Sequence, residues 1–366
     1  MEDKLTPAVS VKPGDILREE LEARGWTQGD LATILGRPVQ VVSEIATGKK
    51  SVTAETAIAL GKAFGTSAQL WLNLQTSYSL EQAASGAGAE SVERRARLYE
   101  TVPVKELIKR GWLPRTDDVQ ETEEAVLRFL GVKSLGEPPA IVASFRQSRE
   151  RVPDTPALVA WLRRAEVLAE HKEVGSFQPD RLVDAAPTLV RLSAKRSGSR
   201  DAVEELSNLG IRYVALEHLP RTYVDGAAFW LEEQYPVVAL SLRVNRIDSF
   251  WFTLMHELAH IVISAGSRQP HLDTELVERQ PTSPPRQASQ AEKRANTMAQ
   301  DWLIPRSSFN KIKKHRGRFT AAVIQKHARD LGIHPGIVVG RLQHEGAVPY
   351  THFRRLLIRV PRVFSG

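Results

Sequence analysis

The 366-residue chain contains no cysteine. Disulfide stapling, thiolate zinc sites and thiol nucleophiles are therefore excluded. No run is long and apolar enough to span a bilayer, and the N-terminus MEDKLTPAVS lacks a signal pattern. A cytoplasmic protein with no membrane partner is expected. Charge imbalance is also small. The formal net charge of +7 favours a polyanionic partner only mildly at this length. No internal repeat is found. Apolar content of 42% suffices for a sizeable core divided among two or three domains.

One stretch dominates what is present. Asp248 to Ile263 reads DSFWFTLMHELAHIVI. At about 100° per residue it is apolar almost all round, so it should be a buried helix. One stripe is polar and holds Ser249, Thr253, His256, Glu257 and His260. Burying two imidazoles and a carboxylate without partners costs several kcal/mol, so something must satisfy them. His256 and His260 are i,i+4 neighbours that can share one metal ion. Glu257 would project beside the open coordination position and take a proton there.

Two histidines leave such a site incomplete. The metzincin pattern fails, because Ile263 and Gly266 stand where it needs Gly and His. Downstream candidates are His271, Asp273, Glu275, Glu278 and Glu292. The first four lie in a polar stretch that reads as a loop. Glu292 opens a helix, AEKRANTMAQDWLIP, whose apolar face carries Ala295, Met298, Ala299, Trp302 and Leu303. It sits at the edge of that face, where a carboxylate is unusual unless paired or ligating. The plainer alternative is an N-terminal carboxylate favoured by the helix dipole. FTLMHELAH followed by Glu292, Ala295, Asn296, Leu303, Ile304 and Pro305 resembles the ImmA/IrrE metallopeptidase family. The resemblance implies zinc held by His256, His260 and Glu292, with Glu257 as the base. The chain departs from the family at Thr297-Met298-Ala299, where an aromatic usually precedes the Ala. That departure alters packing, not ligands.

The N-terminal region is a run of short helices with breaks at Gly25, Gly36, Gly48 and Gly65. Thr27, Thr53 and Ser67 read as N-caps, with Asp30 completing a capping box. Two short helices around a glycine turn make a helix-turn-helix. TQGDLATILG, SEIATGKKSVTAETAIAL and GTSAQLWLNLQ resemble the HigA-like branch of the phage-repressor helix-turn-helix family. That resemblance implies a homodimer on an inverted-repeat, double-stranded DNA operator, with the second helix in the major groove. By position, Val39, Gln40, Ser43 and Glu44 reach base edges, and Gln28, Lys49 and Lys50 hold phosphates. Glu44 can accept from cytosine, but it repels phosphate if misplaced.

Residues 79–92 are rich in Ala, Gly and Ser and read as a linker or a frayed helix end. Residues 93–210 read as a helical middle region without recognisable chemistry. Its Trp112, Phe145 and Trp161 are core candidates. From Ile211 a small antiparallel sheet is expected, with turns at Asp225-Gly226 and Tyr235-Pro236. VVALSL is the candidate edge for an extended substrate. Asn245 or Asp248 should cap the metal helix. His334 and His344 are worth watching as oxyanion partners.

The expected fold is mainly α with a small β-sheet. It comprises a helix-turn-helix bundle (1–78), the linker, the helical middle region and a zincin-like metallopeptidase domain (211–366). Two functions are consistent with these expectations. One is a DNA-binding regulator whose zinc endopeptidase cuts a repressor or other regulatory partner. The other is a non-proteolytic, antitoxin-like autorepressor whose peptidase-like domain senses a signal or dimerises; a toxin partner belongs to that reading.

Overall fold

The computed structural model describes residues 11–84, 87–142, 155–274, 290–315 and 318–361. The chain divides into two compact units, Met1–Ala96 and Arg97–Gly366.

The first unit holds α1 (Pro13–Arg24), α2 (Gln28–Leu35), α3 (Val39–Ala46), α4 (Ala54–Phe64) and α5 (Ala68–Ala84). The capping box forms as its sequence requires. Thr27 Oγ1 accepts from the Asp30 N–H at 3.1 Å, and Asp30 Oδ2 accepts from the Thr27 N–H at 2.8 Å. Thr53 and Ser67 cap α4 and α5 through the N–H groups of Thr56 and Leu70. Leu17, Leu31, Val42, Leu60, Phe64 and Trp71 form the core. Gly14 lets α1 meet the end of α3 closely, since a Cβ there would lie 2.4 Å from the Ala46 carbonyl oxygen. Of the stretch expected as a linker, 79–84 belong to α5 and 87–92 to α6 (Ala87–Thr101). Its Ala, Glu and Gln residues are good helix formers, which outweighs the glycines.

The second unit is built on four strands: β1 (Arg212–Ala215), β2 (Val224–Leu231), β3 (Tyr235–Leu240) and β4 (His271–Thr274). Their order is β1-β3-β2-β4. The sheet is mixed rather than antiparallel, because β1 runs parallel to β3. β3, which carries VVAL, is therefore interior and not the expected edge; β4 closes that side. Asp225-Gly226 and Tyr235-Pro236 lie inside strands. The chain reverses instead at Glu232 and Glu233, both at positive φ.

Side chains alternate across this sheet and feed two cores. Val214, Leu216, Ala227, Phe229, Val237, Ala239 and Leu272 point to one face. Against them pack α7 (Val104–Lys109), α8 (Val119–Leu130) and α9 (Pro156–Glu170). Trp161 is fully buried there, and its Nε1 donates to the Leu216 carbonyl at 3.2 Å. Trp112 stacks on Phe129, whereas Phe145 falls outside the described residues. Tyr213, Ala215, Ala228, Val238 and Leu240 point to the other face. It receives α10 (Pro179–Leu192), α11 (Gly198–Asn208) and α12 (Ile247–Ser264). The middle region is thus not a separate body. A sheet with two apolar faces needs a helical layer on each, and helices from the middle region cover both.

α13 (Gln290–Leu303), α14 (Arg306–Lys313), α15 (Ala321–Leu331) and α16 (Pro335–His344) complete the unit. No helix among the described residues is long and apolar enough to cross a membrane.

Candidate metal centre and nucleic-acid interface

α12 is buried nearly all round, as its composition demands. His256 and Glu257 are 0% exposed and His260 is 3% exposed. Neither expected residue caps it. Arg246 precedes the helix without a capping bond, and Asp248 instead pairs with Arg246 at 2.5 Å. Asn245 Oδ1 accepts from the Val360 N–H at 3.1 Å. The helix begins early enough to leave Asp248 in its first turn, where the dipole favours an acid.

α13 packs closely on α12, with Ala299 fully buried in the core they share and Ala295 fully buried one turn earlier. This approach delivers Glu292. Its Oε1 lies 3.5 Å from His256 Nε2 and its Oε2 lies 3.5 Å from His260 Nε2. The two imidazole Nε2 atoms are 3.0 Å apart. Asn296 Nδ2 donates to Glu292 Oε1 at 3.0 Å and orients the carboxylate. Lys293, Arg294 and Asp301 point to solvent, as the helix face required.

β4 adds a fourth group, His271, from a stretch whose polar sequence resembles a loop. Leu272 enters the core on the far side of the sheet, so strand alternation turns His271 toward α12. Its Nε2 is 2.9 Å from Glu292 Oε2, and its ring stacks on His260 with centroids 3.3 Å apart. His256, His260, His271 and Glu292 place one donor atom each within 4.8 Å of one another, a group that could hold a metal ion. The spacing suits zinc. Ligands at about 2.0–2.1 Å in a tetrahedron stand roughly 3.3 Å apart; His256, His260 and Glu292 are separated by 3.0 to 3.5 Å, and His271 Nε2 is 2.9 Å from Glu292 Oε2. Glu275 and Glu278 fall outside the described residues.

Glu257 stands apart from this donor set. Its carboxylate lies against Gly226 of β2, where a Cβ would be 2.2 Å from Glu257 Oε1. The β2–β4 register shifts between Val224 and Gly226. Such a bulge re-aims the strand beside a site. The neighbouring Asp225 is locked by Arg243, whose Nε donates to Asp225 Oδ1 at 3.0 Å.

A pocket partly open to solvent lies along the first turns of α12. Asp248, Ser249, Phe252, Leu303, Arg341 and His344 line it. The Phe252 ring lies 6.0 Å from His256 and 6.4 Å from His344. His334 is elsewhere engaged, since its Nδ1 caps α16 by accepting from the Gly336 N–H at 3.0 Å.

In the first unit, α3 presents Val39 and Gln40 exposed, with Ser43 and Glu44 half-buried beside them. Gln40 Nε2 donates to Glu44 Oε1 at 3.0 Å, so the two polar side chains are aimed together. Lys49 and Lys50 are exposed in the following turn, and Gln28 begins α2.

The family models agree with this division. A helix-turn-helix model matches residues 17–71, and an IrrE N-terminal-like domain model matches residues 208–343. Virulence-associated protein I of Dichelobacter nodosus is 41% identical over 75 residues, 20% of this chain and 69% of that protein. The chain belongs to the helix-turn-helix family and carries an IrrE N-terminal-like domain. The uncharacterized HTH-type transcriptional regulator YddM of Escherichia coli K12 is 34% identical over 83 residues, covering 23% of this chain and 88% of that protein. Among solved structures, an addiction module antidote protein of the HigA family from Coxiella burnetii is similar. It shares 38% identity over 23% of this chain and 92% of that one, with a TM-score of 0.22. By its two family matches and its relatives, this helix-turn-helix, IrrE-like protein is a DNA-binding regulator with a peptidase-like domain. The second match spans all four strands and the whole metal group, whereas α7 to α10 lie outside it.

Proposed function

We propose that this DNA-binding regulator uses its IrrE-like domain as a zinc-dependent endopeptidase on a regulatory protein. The observation that carries the reading is the separation of labour on one buried helix. His256 and His260, with Glu292 from α13, form a donor group. Glu257, one residue from His256, is held apart against Gly226. Zinc bound by those donors supplies a nucleophile near neutral pH and a Lewis acid for a peptide carbonyl. Glu257 accepts the proton of the attacking water on a carboxylate oxygen and returns it to the leaving amine nitrogen. Burial keeps that exchange away from bulk solvent.

The first unit brings the peptidase to an operator. Val39, Gln40, Ser43 and Glu44 read bases, while Gln28, Lys49 and Lys50 hold phosphates. Binding as a homodimer places half-sites about one helical turn apart. Tethering raises the effective concentration of any repressor or regulator bound nearby.

A second reading is favoured by His271. A four-donor group resembles closed structural zinc sites more than open catalytic ones. The domain would then act as a sensor or dimerisation body of an antitoxin-like autorepressor, with a toxin as partner. Glu257→Gln separates the two. Under the peptidase reading, zinc-loaded wild type cuts an operator-associated partner and Glu257→Gln does not. A Glu257→Gln protein that regulates its promoter normally, with every partner intact in both proteins, would sink it.

A further inference from the structure

We infer that His271 is a fourth metal ligand and that β4 is a built-in strand closing the centre in the resting protein. The inference rests on the metal reading above. Three features carry it. Strand alternation turns His271 to the α12 face, because its neighbour Leu272 is 3% exposed in the opposite core. Its Nε2 reaches the same carboxylate oxygen, Glu292 Oε2, that faces His260. His271 also places a donor atom within 4.8 Å of one on each of His256, His260 and Glu292.

Three protein ligands leave a position for water or substrate, and a fourth removes it. The closing group sits on a weakly held element. β4 is four residues long and, among the described residues, pairs with β2 alone. It occupies the edge of β2 that an added extended peptide would use. His271 lies opposite Ala228, two residues from the Gly226 that meets Glu257. A peptide strand replacing β4 would therefore withdraw His271 and arrive beside Glu257 in one movement. The substrate class that fits is an extended, strand-forming segment of a protein, not a helix.

The test exploits the absence of cysteine from the chain. In full-length His271→Cys loaded with cobalt, a thiolate-to-cobalt charge-transfer band can arise from position 271 alone. We expect that band in His271→Cys and not in wild type. His271→Ala should bind zinc at least about tenfold more weakly in competition with a chromophoric chelator. It should also bind acetohydroxamate more tightly than wild type, because the position is open. A folded His271→Cys protein, judged by far-UV circular dichroism, that takes up cobalt without the band overturns the assignment. So does unchanged zinc affinity in His271→Ala. If the band forms but neither wild type nor His271→Ala cuts any partner or unstructured polypeptide, the four-ligand centre stands and the endopeptidase reading falls.

Discussion

Gly226→Ala adds a single methyl where β2 meets Glu257. The new Cβ would lie 2.2 Å from Glu257 Oε1, 2.8 Å from Cδ and 3.0 Å from Cγ. Ordinary contact begins near 3.4 Å, so carboxylate or strand must retreat by about 1.2 Å. The strand is pinned by β3 and β4 on its two sides. Glu257 is 0% exposed and has no open solvent to swing into. Overpacking of this kind costs about 1–3 kcal/mol. For an active peptidase, displacing the base by about 1 Å costs on the order of 100-fold in turnover. Zinc content should be unchanged, since the three atoms nearest the methyl all belong to Glu257. Melting, metal analysis and cleavage of a partner protein measure the three effects separately. The Gly226→Ala, Glu257→Gln double variant should turn over no more slowly than Glu257→Gln alone, because both act through one carboxylate. A Gly226→Ala protein with wild-type melting and wild-type cleavage would refute this account of the contact.

Glu292→Ala should reduce zinc affinity at least about tenfold; full occupancy by native mass spectrometry would remove Glu292 from the ligand set. Gln40→Ala should relax base preference, and an equal loss on operator and random DNA would contradict base readout by that residue. Lys49→Ala should weaken binding to all sequences and lower the salt slope by about one; an unchanged slope rules out a phosphate contact there. His334 must stay neutral to cap α16, and burial lowers its pKa from 6.5 while Asp248 pulls the other way. An unfolded chain takes up that proton near 6.5, so stability is full above this pH and falls as pH drops below it. Melting temperature should decline from pH 7 to 5 in wild type. The decline should be smaller in His334→Asn, which keeps a cap; an identical slope argues against His334 as the cause.

The caps of the first unit were legible because a capping box is local. Thr27 and Asp30 find each other within one turn whatever surrounds them. Burial of α12 was legible for a similar reason, since an all-round apolar helix has only one stable place to go. Glu292 could be singled out because helix periodicity placed it on a face. His271 could not. Four residues of β4 carry too little pattern to separate a strand from a loop, and pairing with β2 decides which way the imidazole points. Sheet order failed for the same reason, because β3 looks like an edge until β1 joins it in parallel from earlier in the chain. By itself, the amino-acid sequence determined the helices, the caps of the first unit, the two family signatures and the spacing of His256, Glu257 and His260. Those features depend on neighbours within a turn or two. Only tertiary structure decided that the middle helices share the second unit, that Gly226 confronts Glu257 and that His271 lies beside Glu292 and His260. Each depends on residues distant in sequence, whose meeting is set by how the two faces of one sheet are covered.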